Sequence, residues 1–446
     1  MFKKILIANR GEIAVRILRT CRDLGIESVS VHSTADENSL HVKLADESVC
    51  IGPAKAKDSY LNQDAILSAA EITGADAIHP GFGFLSENAA FAAACAKWNV
   101  TFIGPSAKNI ERLGDKIFSK KVAKKAGVPM LEPIRAKNVA PAEIEREVLK
   151  LGFPVIIKAA GGGGGRGMQR IDQIDQLMPA LDRLRQEAAN NFGDDTLFIE
   201  KYITNPRHIE VQLLADKYGH IVHLGERDCT IQRRFQKVME ESPCPVLSEK
   251  RRKEIFEAAL AVAKMVKYDS VGTVEFLYDQ DTDKFYFMEM NTRIQVEHPV
   301  TEMRTGIDLV AQQIRVAAGE KLDFTQKDIK FVGHSMECRI NTEDPHTMRP
   351  CAGEIKYYYR PGGIGIRVDD FVYPGYRVPP YYDSMIAKVI AAAPDRETCI
   401  KRLQRALDEM VVEGISSNIS LHQHILKDRD FRGNNYATNF LALKMK

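Results

Sequence analysis

The chain contains no apolar run approaching the ~18 residues a membrane-spanning helix requires, which excludes a helical membrane protein. Its eight cysteines include no CxxC pair and no Cys/His spacing suited to zinc, so they read as reduced, mostly packed thiols. No charge of one sign is in excess. The 62 Lys and Arg residues against 60 Asp and Glu leave +2, which argues against a dedicated nucleic-acid surface. Low-complexity tracts and sequence repeats are also missing. The first strand-to-helix turn lacks GxGxxG, which weakens a dinucleotide reading. No Gly-Lys-Ser/Thr follows the glycine run Gly161–Gly165, so that run is not a P-loop. Near the start, Lys3-Lys4 precedes Ile-Leu-Ile-Ala, but Asn9 and Arg10 interrupt it before the apolar core of a signal peptide could form. A cytoplasmic protein is expected, with neither a membrane nor a nucleic acid as partner.

The composition is that of a soluble globular enzyme: 44% hydrophobic and 27% charged over 446 residues. At roughly 150 residues each, about three domains are expected. The first hundred residues alternate strand and helix signals. Strands are predicted over 3–8, 28–32, 75–79 and 100–103, and helices over 13–24, 63–73 and 88–97. This is the βαβ rhythm of a doubly wound parallel sheet. The His79–Asn88 loop follows a strand end, where open α/β sheets place ligands. The character changes near Gly104-Pro105. A basic helix is predicted over 115–126, ended by Gly127 with Pro129 beyond. These signals divide the chain into 1–113, then 114–330 containing a smaller unit at 131–203, then a mixed α/β unit at 331–446.

The richest segment is Lys284–Pro299. It reads as a strand carrying Glu289 and Asn291 two positions apart, hence on one face. If the chain stays extended, Arg293, Gln295 and Glu297 continue that face. The β-rich run Val271–Tyr278 precedes it, and the polar Asp279–Asp283 between them predicts a hairpin. A turn centred near Thr282 sets Glu275 across from Glu289. Like charges directly opposite repel, so two carboxylates with an Asn oxygen suit a hard divalent cation that also holds phosphates, such as Mg²⁺ with a nucleotide.

Upstream, the predicted buried strand 153–160 carries Lys158 and runs into Gly161–Gly165. Consecutive glycines let backbone N–H groups close on an oxyanion, and the cation beside them suits phosphate. The strand 198–203 ends this unit. The basic run Gln232–Lys237 lies in the chain between the glycine loop and the carboxylate hairpin. Two other patterns mislead. Asp279-x-Asp281-x-Asp283 starts like an EF-hand, but Lys284 and Met290 stand where Gly and Glu are required. Leu443-Lys444-Met445 faintly suggests biotin attachment but lacks the flanking residues, and reads as a helix end.

Seven motifs together, Ala8–Ala14, His79–Asn88, Lys158 with its glycine loop, Gln232–Lys237, Glu289–Pro299, Glu337–Asn341 and Tyr382–Met385, resemble biotin carboxylase, the ATP-grasp component of biotin-dependent carboxylases. They span almost the whole chain. The resemblance implies an N-terminal Rossmann-like domain, an ATP-grasp region with a glycine-loop lid at 131–203, and a C-terminal domain of the same family. It implies that ATP phosphorylates bicarbonate to carboxyphosphate, whose CO₂ then carboxylates a ureido nitrogen of biotin. Lys116, Lys158, Gly164, Gly165, Glu200, Lys201, Ile203, His208 and Gln232 would hold ATP. Glu275, Glu289 and Asn291 would bind Mg²⁺ or Mn²⁺. Lys237, Arg293, Gln295 and Val296 would hold bicarbonate, Glu297 would be the general base, and Arg339 would stabilise the biotin ureido oxygen.

The resemblance further implies a homodimer, with the biotin carboxyl carrier protein and the carboxyltransferase on separate chains. The final acceptor is not encoded here. Two positions depart from the family pattern: Phe235 replaces the usual His near the nucleotide, and Phe82 the usual Tyr near biotin. Another ATP-grasp carboxylate–amine ligase and a non-catalytic nucleotide-binding regulator are the alternative functions; the Arg293–Glu297 cluster and Arg339 argue against the first, an intact base and metal set against the second.

Overall fold

The computed structural model describes residues 1–160, 167–345 and 347–444. At its N-terminal end, Ile5, Leu6 and Ile7 are apolar on both faces of β1 (Lys4–Ile7), as a central parallel strand between helices must be. β1 is flanked by β2 (Glu27–Ser33) and β4 (Ala77–His79), with β3 (Glu47–Gly52) and β5 (Thr101–Phe102) at the edges, all parallel, in the order β3-β2-β1-β4-β5. Edge strand β3 went unread in the sequence because half its residues face solvent and its apolar run is only Val49–Ile51. The strand order reverses at β1, so the loops after β1 and β4 meet at one sheet end. Asn9 stitches them, its amide donating to Pro80 O at 2.6 Å and Phe82 O at 2.8 Å. The helix Ala89–Lys97 starts where Asn88 caps it, accepting from the Phe91 N–H.

A second unit is a four-stranded antiparallel sheet in the order β6-β9-β7-β8, built from β6 (Ile134–Arg135), β7 (Val155–Ala159), β8 (Met168–Ile171) and β9 (Leu197–Lys201). Val155 and Ile157 bury against the helices Pro141–Leu151 and Leu177–Phe192, so alternation turns Ile156 and Lys158 to the other face. The glycine run that follows β7, including Gly164 and Gly165, lies outside the described residues.

The largest sheet contains β10 (Pro206–Ala215), β11 (Ile221–Arg233), β12 (Gln236–Ser242), β13 (Val271–Asp279), β14 (Lys284–Asn291) and β15 (His334–Asn341). Beyond it in the chain come β16 (Gly353–Glu354), β17 (Tyr357–Tyr359), β18 (Ile366–Asp370), β19 (Arg377–Val378), β20 (Met385–Ala393) and β21 (Val411–Glu413). β16 pairs with β19 and β17 with β21 in small ribbons; β20 and β18 extend the large sheet, whose order is β14-β13-β10-β11-β12-β15-β20-β18. Strands on either side of residue 330 therefore share one hydrogen-bonded sheet through the β12–β15 pairing. The helix Glu249–Val266 covers the apolar face of its first half, and the helix Arg396–Glu409 that of its second. The opposite face is charged.

The β13–β14 hairpin pairs Glu275 with Glu289 as expected, by a different route. The turn is centred between Asp281 and Thr282, because Asp279 pairs with Lys284, and an extra residue at Met288 then shifts the register by one. That bulge matters for direction. Phe285 and Phe287 point into the core, and strict alternation would send Glu289 and Asn291 after them; past the bulge it is Met290 that re-enters the core. Asp279 closes the turn, accepting from Asp281 N and Thr282 Oγ1, which is why its spacing imitated an EF-hand. Lys444 ends the helix Phe440–Lys444. Six of the eight cysteines are buried, all eight as free thiols. Among the described residues no helix is long and apolar enough to cross a membrane.

Candidate active site

One cleft of about 2040 Å³ runs between the N-terminal sheet end, the inner face of β7–β9 and the charged face of the large sheet. Three glutamates stand abreast on the large sheet, two of them, Glu275 and Glu289, lining the cleft and Glu210 buried beside them. Glu210 on β10 is directly opposite Glu275 on β13, which is opposite Glu289 on β14. Such a row repels itself unless cations intervene. One does: the Lys237 ammonium lies 2.6 Å from Glu210 Oε2, 3.1 Å from Glu275 Oε1 and 2.6 Å from Glu297 Oε1. Burial opposes charge on Lys237, but these carboxylates hold it well above the ordinary lysine range. His208 Nε2 is 3.0 Å from Glu275 Oε2; burial pulls the imidazole down, Glu275 pulls it up, and the net direction is up.

Among the described residues no cation is as close to Glu289. Burial and the neighbouring Glu275 charge push its carboxyl up, only partly offset by Lys116. Asn291 Nδ2 donates to Glu275 Oε1 at 2.8 Å, and its Oδ1 accepts from Arg293 at 3.2 Å. Two carboxylates and an amide oxygen are hard donors, and the charge they gather fits a small divalent cation. A second set of potential ligands, His208, Glu210 and Glu275, also converges within 4.8 Å.

The chain does not stay extended beyond Asn291, contrary to the sequence expectation. It turns, and Glu297 becomes the residue before the helix His298–Thr305. The polar groups still converge, through contacts made within the turn. Arg293 Nη1 donates to Gln295 Oε1 at 2.7 Å, and Gln295 Nε2 to Glu275 Oε1 at 3.3 Å. Glu297 itself is fully buried, behind Lys237 on one oxygen and Arg339 Nη2 at 2.9 Å on the other. Burial alone would raise its carboxyl; Lys237, Arg339 and Arg227 win and hold it well below the usual range. Arg339 is also gripped by Glu240, its Nε donating to Oε1 at 2.6 Å.

On the opposite wall Lys158 Nζ is 2.6 Å from Glu200 Oε2, and Lys120 Nζ 2.9 Å from Glu200 Oε1. Burial opposes ionisation of Glu200, and the two lysines hold its carboxyl low. Lys116, Ile203 and Gln232 line the same cleft, Gln232 donating to Cys229 O at 2.8 Å. The Lys201 side chain is turned to the Gly152 and Phe153 carbonyls, at 3.0 and 2.9 Å, which occupies two of its three N–H donors. Val296 contributes to the lining while its carbonyl accepts from Lys388. Phe82 and Phe235 both border the cleft. Phe235, 63% exposed, sits with Arg234 in a turn where both residues have positive φ, 66° and 48°.

Sequence reasoning missed Glu210, Arg227, Glu240 and Lys120. Glu210 had a signal: His208, Glu210 and Gln212 alternate along a strand, which marks one polar face. Arg227, fully buried and bonded to Glu210 Oε1 at 2.5 Å, had none, since a charged run normally reads as solvated.

The chain is similar to known proteins along nearly its whole length. Residues 1–110 match the model for the biotin carboxylase N-terminal domain, 115–325 that for the carbamoyl-phosphate synthase L chain ATP-binding domain, and 337–443 that for the biotin carboxylase C-terminal domain. The chain is 52% identical to biotin carboxylase 1 of Bacillus subtilis, covering 99% of this chain and 98% of that protein. It is 50% identical to the biotin carboxylase of Pseudomonas aeruginosa, covering 100% and 99%. Among solved structures it resembles a biotin carboxylase complex with β,γ-ATP from Campylobacter jejuni, with TM-score 0.93, 48% identity and 99% of both chains covered. It also resembles the biotin carboxylase domain dimer of Hydrogenobacter thermophilus 2-oxoglutarate carboxylase with MgADP, ADP and bicarbonate, with TM-score 0.91, 48% identity, and 99% and 98% covered. The chain belongs to the biotin carboxylase family, ATP-grasp ligases whose half-reaction is the carboxylation of biotin.

Proposed function

We propose that this cleft joins ATP and bicarbonate to form carboxyphosphate, with Glu297 as the base, and then delivers CO₂ to biotin beside Arg339. The observation that carries this reading is the fully buried Glu297 carboxylate, held between Lys237 and Arg339 and linked to Glu275 through the same Lys237 ammonium. Bicarbonate is a poor nucleophile. Removing its proton while cations neutralise the gathering charge makes the attack on the terminal phosphate feasible. In the resting arrangement Glu297 is a weak base, because Lys237 and Arg339 stabilise its charge. An anion bound by Lys237, Arg293, Gln295 and the Val296 backbone draws those cations away and strengthens it. The bicarbonate proton passes to Glu297, its oxygen bonds to phosphorus, and ADP leaves. Carboxyphosphate then splits into CO₂ and phosphate, the phosphate takes the ureido N–H proton of biotin, and the freed nitrogen bonds to the CO₂ carbon.

Glu275, Glu289 and Asn291 would hold Mg²⁺ or Mn²⁺, which supplies charge neutralisation across the nucleotide phosphates. Lys116, Lys158, Glu200, Lys201, Ile203, His208 and Gln232 would hold the nucleotide, beneath the 131–203 lid. Exclusion of water by that lid protects carboxyphosphate from hydrolysis. The division by motif content is 1–113, 114–330 and 331–446, with the last two joined in one sheet through the β12–β15 pairing. The working form is a cytoplasmic homodimer served by a separate biotin carboxyl carrier protein and a separate carboxyltransferase.

Glu297→Gln keeps the shape and removes the base. Bicarbonate- and biotin-dependent ATP hydrolysis should disappear while ATP binding, followed by calorimetry, stays near that of the parent. Normal turnover in this variant removes Glu297 from its role.

A further inference from the structure

Lys388 is a fully buried ammonium that the chemistry above leaves unused. It belongs to β20, where it stands directly opposite Arg339 on β15 and Asp369 on β18, so the three side chains share a face of the large sheet. That face looks onto the segment carrying Glu297. Arg339 takes Glu297 Oε2 at 2.9 Å, and Lys388 Nζ takes the carbonyl oxygen of the preceding residue, Val296, at 2.8 Å. Two neighbours in one sheet row thus grip two consecutive residues of the site.

The other side of the ammonium meets Glu12, from the helix Gly11–Asp23, with Nζ 3.1 Å from Oε2. Glu337, on the Arg339 strand, adds a nearby buried carboxyl. Burying an ammonium is costly unless it is paired and hydrogen-bonded, and here one of its bonds goes to the peptide next to the candidate base. That peptide also sits where the chain leaves the extended form of β14 and enters the helix His298–Thr305, so no ladder hydrogen bond holds it.

We propose that Lys388 is a positioning residue for the half-reaction: its hydrogen bond to Val296 O fixes the peptide that aims the Glu297 carboxylate and presents the Val296 backbone to bicarbonate. The inference rests on the reading of Glu297 as the base.

The test uses the full chain with Lys388→Met, which removes the donor, and Lys388→Gln, which keeps a neutral one. Thermal midpoint, KM for ATP and kcat of bicarbonate-dependent ATP hydrolysis are measured for each, beside Glu297→Gln. A small misplacement of a reacting group costs on the order of 100-fold, so Lys388→Met should lose about that in kcat with KM for ATP little changed, and Lys388→Gln less than about tenfold. A purely structural lysine would lower the thermal midpoint without this split. Equal kcat values for Met and Gln, a parental kcat for Met, or failure of both variants to fold each overturn the proposal. Activity in Glu297→Gln would instead sink the base assignment itself, a separate outcome.

Discussion

Arg227 shows what a single buried charge does at the residue scale. Its guanidinium has no contact with solvent and is spent entirely on Glu210, Gln212, Thr301 and Thr273. It joins β11 to β10, β13 and the helix after Glu297, and its charge helps keep Glu297 ionised. Removing one member of a buried pair strands the other, at a cost of roughly 3–5 kcal/mol. Arg227→Met should therefore lower unfolding free energy by about 3 kcal/mol or more by that estimate, measured by urea titration. A loss under about 1 kcal/mol, the level of an exposed pair, would contradict this role. Residue chemistry was largely readable beforehand where a residue type has few structural uses in its pattern. Glu289, Asn291, Arg293 and Glu297 in one short run is such a case. Arg227 was not, because burial, which gives it meaning, is not written in the neighbouring letters.

Elements depend on a few close approaches. In β13, Gly272 lies against the Tyr268 ring; a Cβ there would sit 2.6 Å from its hydroxyl oxygen, which is bonded to Val271 O at 2.9 Å. Gly272→Ala forces that ring or the strand to move. Overpacking of this kind costs typically 1–3 kcal/mol, and a lowered thermal midpoint is expected. The strand that shifts carries Glu275, so kcat should fall as well. An unchanged midpoint would mean that the ring swings clear. The β13–β14 pairing itself was legible from two β-rich runs around a polar turn. The bulge at Met288 was not, since alternation alone cannot say where an extra residue enters. A short signal hid β3, whose residues pack at an edge and whose apolar run, Val49–Ile51, is only three residues long.

Glu241 acts across the whole molecule. From β12 it binds His334 on β15 at 2.7 Å, Arg396 at 2.7 and 3.0 Å, and the Tyr436 hydroxyl at 2.6 Å. It thus ties the large sheet to the C-terminal helices. Burial works against its charge, but Arg396 and His334 hold the carboxyl far below the ordinary 4.5. A depressed carboxyl contributes stability that is fully present above its unfolded value and is lost as pH falls toward the folded one. Glu241→Gln should accordingly melt well below the parent at neutral pH, and the gap should narrow as pH drops below 4.5. A gap that is constant with pH would remove the charge from the explanation.

Order along the chain, the parallel N-terminal sheet, the carboxylate hairpin and the cleft residues that sit in short motifs, such as Lys158, Glu275, Glu289 and Arg293, were legible in the sequence alone, because local periodicity and short motifs encode them. Tertiary structure decided which way those residues point and what surrounds them. It turned the chain after Asn291 and buried Glu297 behind two cations. It also set Lys388 beside Arg339 from a strand much later in the chain. The physical reason is that burial and cross-strand register are set by partners distant in the chain, and electrostatics within the site follow from both.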